Sequence, residues 1–349
     1  MLLVFHTLFL ISITHAYTAL SDSFLQSITS PDADFNPENG TLLSPILRPR
    51  VPGTAGHSAV QHHFVDWFSD ELPRWRMEWY NSTSTTAAGA EVPISNLVFQ
   101  REPPWTKTGQ ANWLTLAAHY DSKNVPEGFV GAMDSAVPCA ILMHVARSID
   151  RYVTQMHDEM DALGEGGTVP MDMGIQIMFL DGKDSFDGEA PALYGSRALT
   201  KNWEMKSNLM PLRYPNALSQ VSMFVLLDVL GSANPTIPSY FPTTHWLHRN
   251  IANLETRMRK INVLESRPSS AFIPQSNDIL PQSEPVDDYV PFMERGVPCF
   301  HLMPSSLPSN RHTINDDGEH LDMPTVRDWA KIVTGLVMEW LDMMEVWPE

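Results

Sequence analysis

Five residues of the kind that holds a divalent cation stand at the ends of apolar runs or in the loops after them: His119, Asp134, Asp184, Asp228 and His312. Histidine mixed with carboxylate, and no cysteine, suits a catalytic zinc site that keeps one position open for water or substrate. Dispersed ligands of this kind are a weaker signal than a contiguous His-Glu-x-x-His helix. Their placement adds to it. Residues 175–180 (IQIMFL) form a short apolar run with β-branched members, halted by Asp181-Gly182 and followed by Lys183, Asp184, Asp187 and Glu189. Such a run reads as a buried strand, and open α/β sheets collect their chemistry at the carboxyl ends of strands. A solvated acidic turn accounts for the same charges. Residues 222–230 (SMFVLLDVL) hold one carboxylate, Asp228, which a buried strand tolerates only when it is paired or bound to metal.

The elements that must position these residues follow from periodicity. Residues 57–68 have helical spacing, and His57, His62 and His63 on that helix are expected at the surface. Residues 81–90 read as a Ser/Thr/Gly/Ala loop, 94–99 as a strand, and 113–118 as a strand ending at His119. A helix follows over 137–147, with Ser135 placed to cap it, and then an acidic connector over 150–172. Residues 189–197 read as a loop opening a helix, 245–261 as a helix, 267–285 as a surface loop and 297–303 as a last strand. The final helix, 323–344, carries an apolar stripe through Val326, Trp329, Val333, Leu336 and Trp340, which is core packing. Strands alternating with helices predict an α/β three-layer sandwich with a mostly parallel central sheet flanked by helices.

The chain has 349 residues, 43% hydrophobic and 18% charged, which allows one large domain over 17–349. Residues 17–52, rich in Pro, Ser and Asp, are expected to be an extended arm on its surface. Residues 1–16 have an apolar centre and small residues at Thr14 and Ala16, the pattern of a cleavable secretory signal. That run is shorter than the ~20 residues a bilayer span needs. The sequons at Asn39 and Asn81 agree with a secretory route, while Pro235 rules out the one at Asn234. Cys139 and Cys299 lie in or beside apolar runs and read as two buried free thiols. A formal net charge of −18 disfavours nucleic acid and anionic membranes as partners and fits basic peptides. No Gly-x-Ser-x-Gly elbow and no phosphate-binding glycine loop occurs.

At these residues the chain resembles the glutaminyl-peptide cyclotransferases (glutaminyl cyclases), relatives of the zinc aminopeptidases. The resemblance runs from about Arg50 to the end. It is carried by His119-Tyr120-Asp121-Ser122-Lys123, by residues 129–139 (FVGAMDSAVPC), by Phe179-Leu180-Asp181-Gly182 and by Leu193-Tyr194-Gly195-Ser196-Arg197. Leu226-Leu227-Asp228, residues 231–241, Asp287-Asp288, Arg295-Gly296-Val297-Pro298 and His312-Thr313 extend it. It implies one zinc per chain, held by Asp134, His312 and the second acid of an Asp-Gly-Glu-Glu motif. The reaction it implies closes an N-terminal Gln or Glu of a peptide to pyroglutamate, the motif's first glutamate carrying the proton. Asp228 and Asp287 match aspartates that support that transfer, and a monomer is expected.

The chain departs from the family where the chemistry is densest. Lys183-Asp184 stands in place of Glu-Glu. Asp184 can still bind zinc, but Lys183 has no acceptor for a proton. At ~4 Å and an effective dielectric of about 20, two unit charges repel by about 4 kcal/mol, and a dication roughly doubles that. Lys183 must then be deprotonated, turn away to pair with Asp181 or Asp228, or weaken zinc binding. Arg311 replaces a tryptophan of the substrate pocket, and Ala118 replaces one cysteine of the family disulfide. Two further readings compete. A zinc aminopeptidase would recruit His119 and Asp228 to a second metal, and a pseudoenzyme would only bind peptides.

Overall fold

The computed structural model describes residues 18–342 except 165, 169, 185, 187–190, 207–212 and 276–284. The expected leader, Asp187 and Glu189 lie outside the described residues. Six strands form one sheet in the order β1-β2-β4-β3-β5-β6: β1 Arg76–Thr85, β2 Glu91–Arg101, β3 Asn112–His119, β4 Met173–Leu180, β5 Val221–Leu227 and β6 Cys299–Leu302. The β4-β3, β3-β5 and β5-β6 pairs are parallel; β1-β2 and β2-β4 are antiparallel. Every residue of β3 and β4 is buried, helices covering both faces, which is why both read as mostly apolar runs, broken only by Thr115 and Gln176, which hydrogen-bond each other at 3.0 Å.

The pleat divides the core in two. Leu114, Leu116, Ile177, Phe179 and Val225 face one layer, made by α3 Ala55–Glu71, α4 Val137–Leu163, α6 His245–Lys260 and α8 Met323–Trp340. Phe64 and Phe68 of α3 stack on Phe179 and Phe99 with ring centroids 3.9 and 3.8 Å apart. Ala117, Met178, Leu180, Phe224 and Leu226 face the other layer, made by α5 Tyr194–Met205 and α7 Val290–Met293. Parallel strands then deliver their carboxyl ends, His119, Leu180, Leu227 and Leu302, to one rim of the molecule.

Four expectations are corrected. Residues 81–85 belong to strand β1, because pairing with β2 decides an exposed edge strand whose own sequence is polar. The helix over 137–147 continues to Leu163, burying Tyr152, Val153 and His157 on one face of a stretch that reads as a connector. It stops at Gly164, whose φ of 68° lies in the left-handed region. The supposed surface arm is built into the core: α1 Asp22–Ser27, α2 Asp32–Phe35 and a 3₁₀ turn at Ser44–Ile46 fully bury Phe24, Leu25, Phe35, Leu42, Leu43 and Ile46. Ser135 does not cap α4; its hydroxyl donates to the His119 carbonyl at 2.9 Å. Cys139 and Cys299 are both buried and free. No helix among the described residues is long and apolar enough to cross a membrane.

Candidate metal centre at the sheet rim

The residues before α4 form the first wall. Gly131 has φ 62°, and a Cβ there would meet the Asp134 carbonyl at 2.3 Å, so only glycine lets the chain fold back at this point. The turn lifts Asp134 into the site, with Asp134–Ser135 joined by a cis peptide bond. The Met133 amide donates to Asp316 at 2.7 Å, fixing the turn from the far loop.

The second wall is the loop after β4, and a neighbouring strand holds it. Asp121 accepts from the backbone amides of Lys183 and Asp184, each at 3.1 Å, and contacts His119 Nδ1 at 3.2 Å. In the sequence Asp121 stands out only as part of a matching block. A carboxylate two residues past a strand end, facing the next strand's loop, is the signal that marks it.

His312 enters from the third side with φ 59°, an uncommon conformation for a residue other than glycine. Asp134, Asp184 and His312 each offer a ligand atom within 4.8 Å of the other two, and Asp134 Oδ2 and Asp184 Oδ2 both face His312 Nε2. His312 Nε2 is 3.0 Å from Asp134 and 3.6 Å from Asp184. All three atoms are buried without a hydrogen-bond partner. Buried polar atoms are rarely left in that condition, and three converging ones fit a cation that takes oxygen and imidazole ligands. The donor set therefore suits zinc.

His119, 1% exposed, contacts Asp134 Oδ1 through Nε2 at 2.9 Å and stands 3.5 Å from Asp228. Burial pushes its pKa down, yet Asp121, Asp134 and Asp228 carry it well above the ordinary value. With Asp134 and Asp228, His119 forms a second cluster whose ligand atoms lie within 4.8 Å of one another.

Lys183 resolves its conflict by turning away, towards Asp228 and not Asp181. Its Nζ lies 2.7 Å from Asp228 Oδ2 and 3.1 Å from Asp287 Oδ1, and the side chain is 3% exposed. Burial works against the charge, but Asp228, Asp287 and Asp184 hold the pKa well above the usual lysine value. Lys183 is a fixed ammonium. Asp181 is engaged elsewhere, with His57 at 3.0 Å and the Ser95 amide at 2.8 Å. His57 is thus a buried partner of Asp181 and not the surface residue expected from its helix.

Asp287 is further bounded by His301 at 3.4 Å, a residue that the sequence marks only as a member of the last strand. Asp288 accepts from Ser196 at 2.6 Å; burial and Asp287 push its pKa up to about 7. Arg311 places Nε 2.8 Å from Asp134 Oδ2. Burial raises the pKa of Asp134, but Arg311, His119 and His312 bring it well below the ordinary carboxylate range.

An α/β sheet with a candidate His-carboxylate cation site at the carboxyl ends of its parallel strands has the form of a metallopeptidase-like protein. Residues 97–337 match the model described as Peptidase family M28. The chain is 34% identical over 309 residues to the glutaminyl-peptide cyclotransferase-like protein of Bos taurus, covering 87% of this chain and 75% of that one. It is 32% identical over 339 residues to the glutaminyl-peptide cyclotransferase of Gloydius blomhoffii, covering 95% and 88%. The crystal structure of Macrostomum lignano glutaminyl cyclase superposes with a TM-score of 0.76 at 25% identity, covering 95% of this chain and 98% of that one. The chain belongs to Peptidase family M28 and, within it, to the glutaminyl-peptide cyclotransferases.

Proposed function

We propose that this chain is a secreted, zinc-dependent glutaminyl cyclase acting on peptide N-termini, with one zinc held by Asp134, Asp184 and His312. The convergence of their three buried atoms, none with a hydrogen-bond partner, carries the reading. Zinc, when bound, supplies Lewis-acid polarisation of the γ-carbonyl of an N-terminal glutamine.

The chain's own residues manage the proton. A bond forms between the α-nitrogen and the side-chain carbonyl carbon, the amide C–N bond breaks, and ammonia leaves. One proton passes from the amine to the leaving nitrogen. Lys183, with no lone pair, cannot accept it. Asp228 is the carboxylate placed to carry that proton, since Oδ2 is engaged by Lys183 while Oδ1 is buried without a hydrogen-bond partner. Lys183 and His301 hold Asp287 beside it. Lys183 thus orients Asp228 and occupies one of its two oxygens, which makes a slow cyclase the expected outcome. The likeness to glutaminyl-peptide cyclotransferases over most of the chain supports the cyclase reading over the two-metal aminopeptidase. The leader pattern and the exposed sequon residues Asn39 and Asn81 support export.

The test is ammonia release from a Gln-initial peptide by purified protein, before chelation, after it, and after zinc is restored. Release that chelator abolishes and zinc returns is expected. Zinc-loaded protein that frees no ammonia from any Gln-initial peptide would defeat the cyclase reading.

A further inference from the structure

Asp134 divides its two oxygens between two sets of neighbours. Oδ1 meets His119 Nε2 at 2.9 Å. Oδ2 faces His312 Nε2 at 3.0 Å and Arg311 Nε at 2.8 Å. A cation shared by Asp134, Asp184 and His312 has to use Oδ2, because Oδ1 is engaged. Arg311 therefore claims the same oxygen that the metal needs.

The character of the Arg311 contact matters as much as its length. Arg311 Nε and Asp134 Oδ2 are both buried, and neither makes a hydrogen bond of acceptable geometry. Charge holds the pair together, with no directed bond. No described residue hydrogen-bonds the two terminal guanidinium nitrogens, and the side chain is 19% exposed. Among the described residues Asp134 is the one carboxylate within 4 Å of the Arg311 guanidinium. A guanidinium cannot shed its proton to make way for another cation. Lys183 differs, since Asp228 and Asp287 hold it away from the ligand oxygens.

We propose that Arg311 sets the metal affinity of this site by acting as an internal counter-cation on Asp134, which a divalent ion must displace to bind. The inference rests on reading Asp134, Asp184 and His312 as the metal ligands. Its consequence is a site that keeps its carboxylate balanced when metal is scarce and loads only at higher free zinc than the ligand set alone would require.

The experiment is a calorimetric titration of chelator-stripped full-length protein with zinc chloride, for wild type, Arg311→Gln, Arg311→Trp and Arg311→Lys. Gln and Trp, which remove the charge, are expected to tighten zinc binding by about 30-fold or more. Lys, which keeps it, should stay close to wild type. The stripped Gln variant should also melt below stripped wild type and gain more on zinc addition, a pattern that lost packing alone would not produce. If Arg311→Gln fails to fold, Arg311→Trp, carrying the residue the family resemblance places here, decides the question. Equal zinc affinity in wild type and both neutral variants would overturn the inference while leaving the metal centre intact. Natively folded protein that binds no zinc in any of the four forms would instead overturn the metal centre itself.

Discussion

Lys183 sits between Asp228 and Asp287 as a buried ammonium, and removing one member of such a set leaves the others without compensation. Lys183→Met should therefore destabilise the fold by about 3–5 kcal/mol, read from urea or thermal melts. Lys183→Glu tests the chemistry. It puts a proton acceptor where an ammonium stood, and cyclase turnover should rise by ~100-fold, measured with zinc-loaded protein on a Gln-initial peptide. An unchanged rate would mean that transfer through Asp228 is not the slow step. The sequence named Lys183, Asp228, Asp287, Asp134, Asp184, His312, His119 and Arg311, since each lies in a block that can be recognised on its own. It did not tell which carboxylate Lys183 would choose. Asp181 and Asp228 are equally acidic on paper. Only the fold shows that His57 and the Ser95 amide have already engaged Asp181.

Among the elements, the parallel strands were legible because burial on both faces leaves a mostly apolar run, and their ends led directly to the site. Strand β1 was not, for its side chains alternate between exposed and half-buried and carry little hydrophobic signal. The segment before Arg50 misled for a different reason. Its short helices have too few turns to show a period, yet Phe24, Phe35 and Leu42 pack into the main core. Asp34 of α2 also meets His144 of α4 at 2.7 Å, tying the segment to the helix that follows Asp134. Phe35→Ala should then cost about 3–5 kcal/mol, as for a core aromatic and unlike a surface arm. A chemical-denaturation midpoint within experimental error of wild type would contradict this.

Across the whole molecule the formal charge of −18 joins the rim chemistry to the approach of substrate. An acidic protein attracts cationic peptides over a Debye length of about 8–10 Å at moderate salt, and the attraction fades as salt rises. Turnover per encounter, kcat/KM, should fall with ionic strength for a Gln-initial peptide with basic residues downstream, and stay flat for one with a neutral tail. Equal salt sensitivity in the two peptides would remove charge from the account. One stretch of the rim keeps its course independently of the side chain it presents. The loop carrying residues 183 and 184 is anchored by its amides to Asp121, so its path is indifferent to the side chain at 183. A substitution at 183 therefore changes the group that faces Asp228 and Asp287 while the backbone at Asp184 keeps its place. The side chain at this point is thus open to exchange on a scaffold that need not be rebuilt.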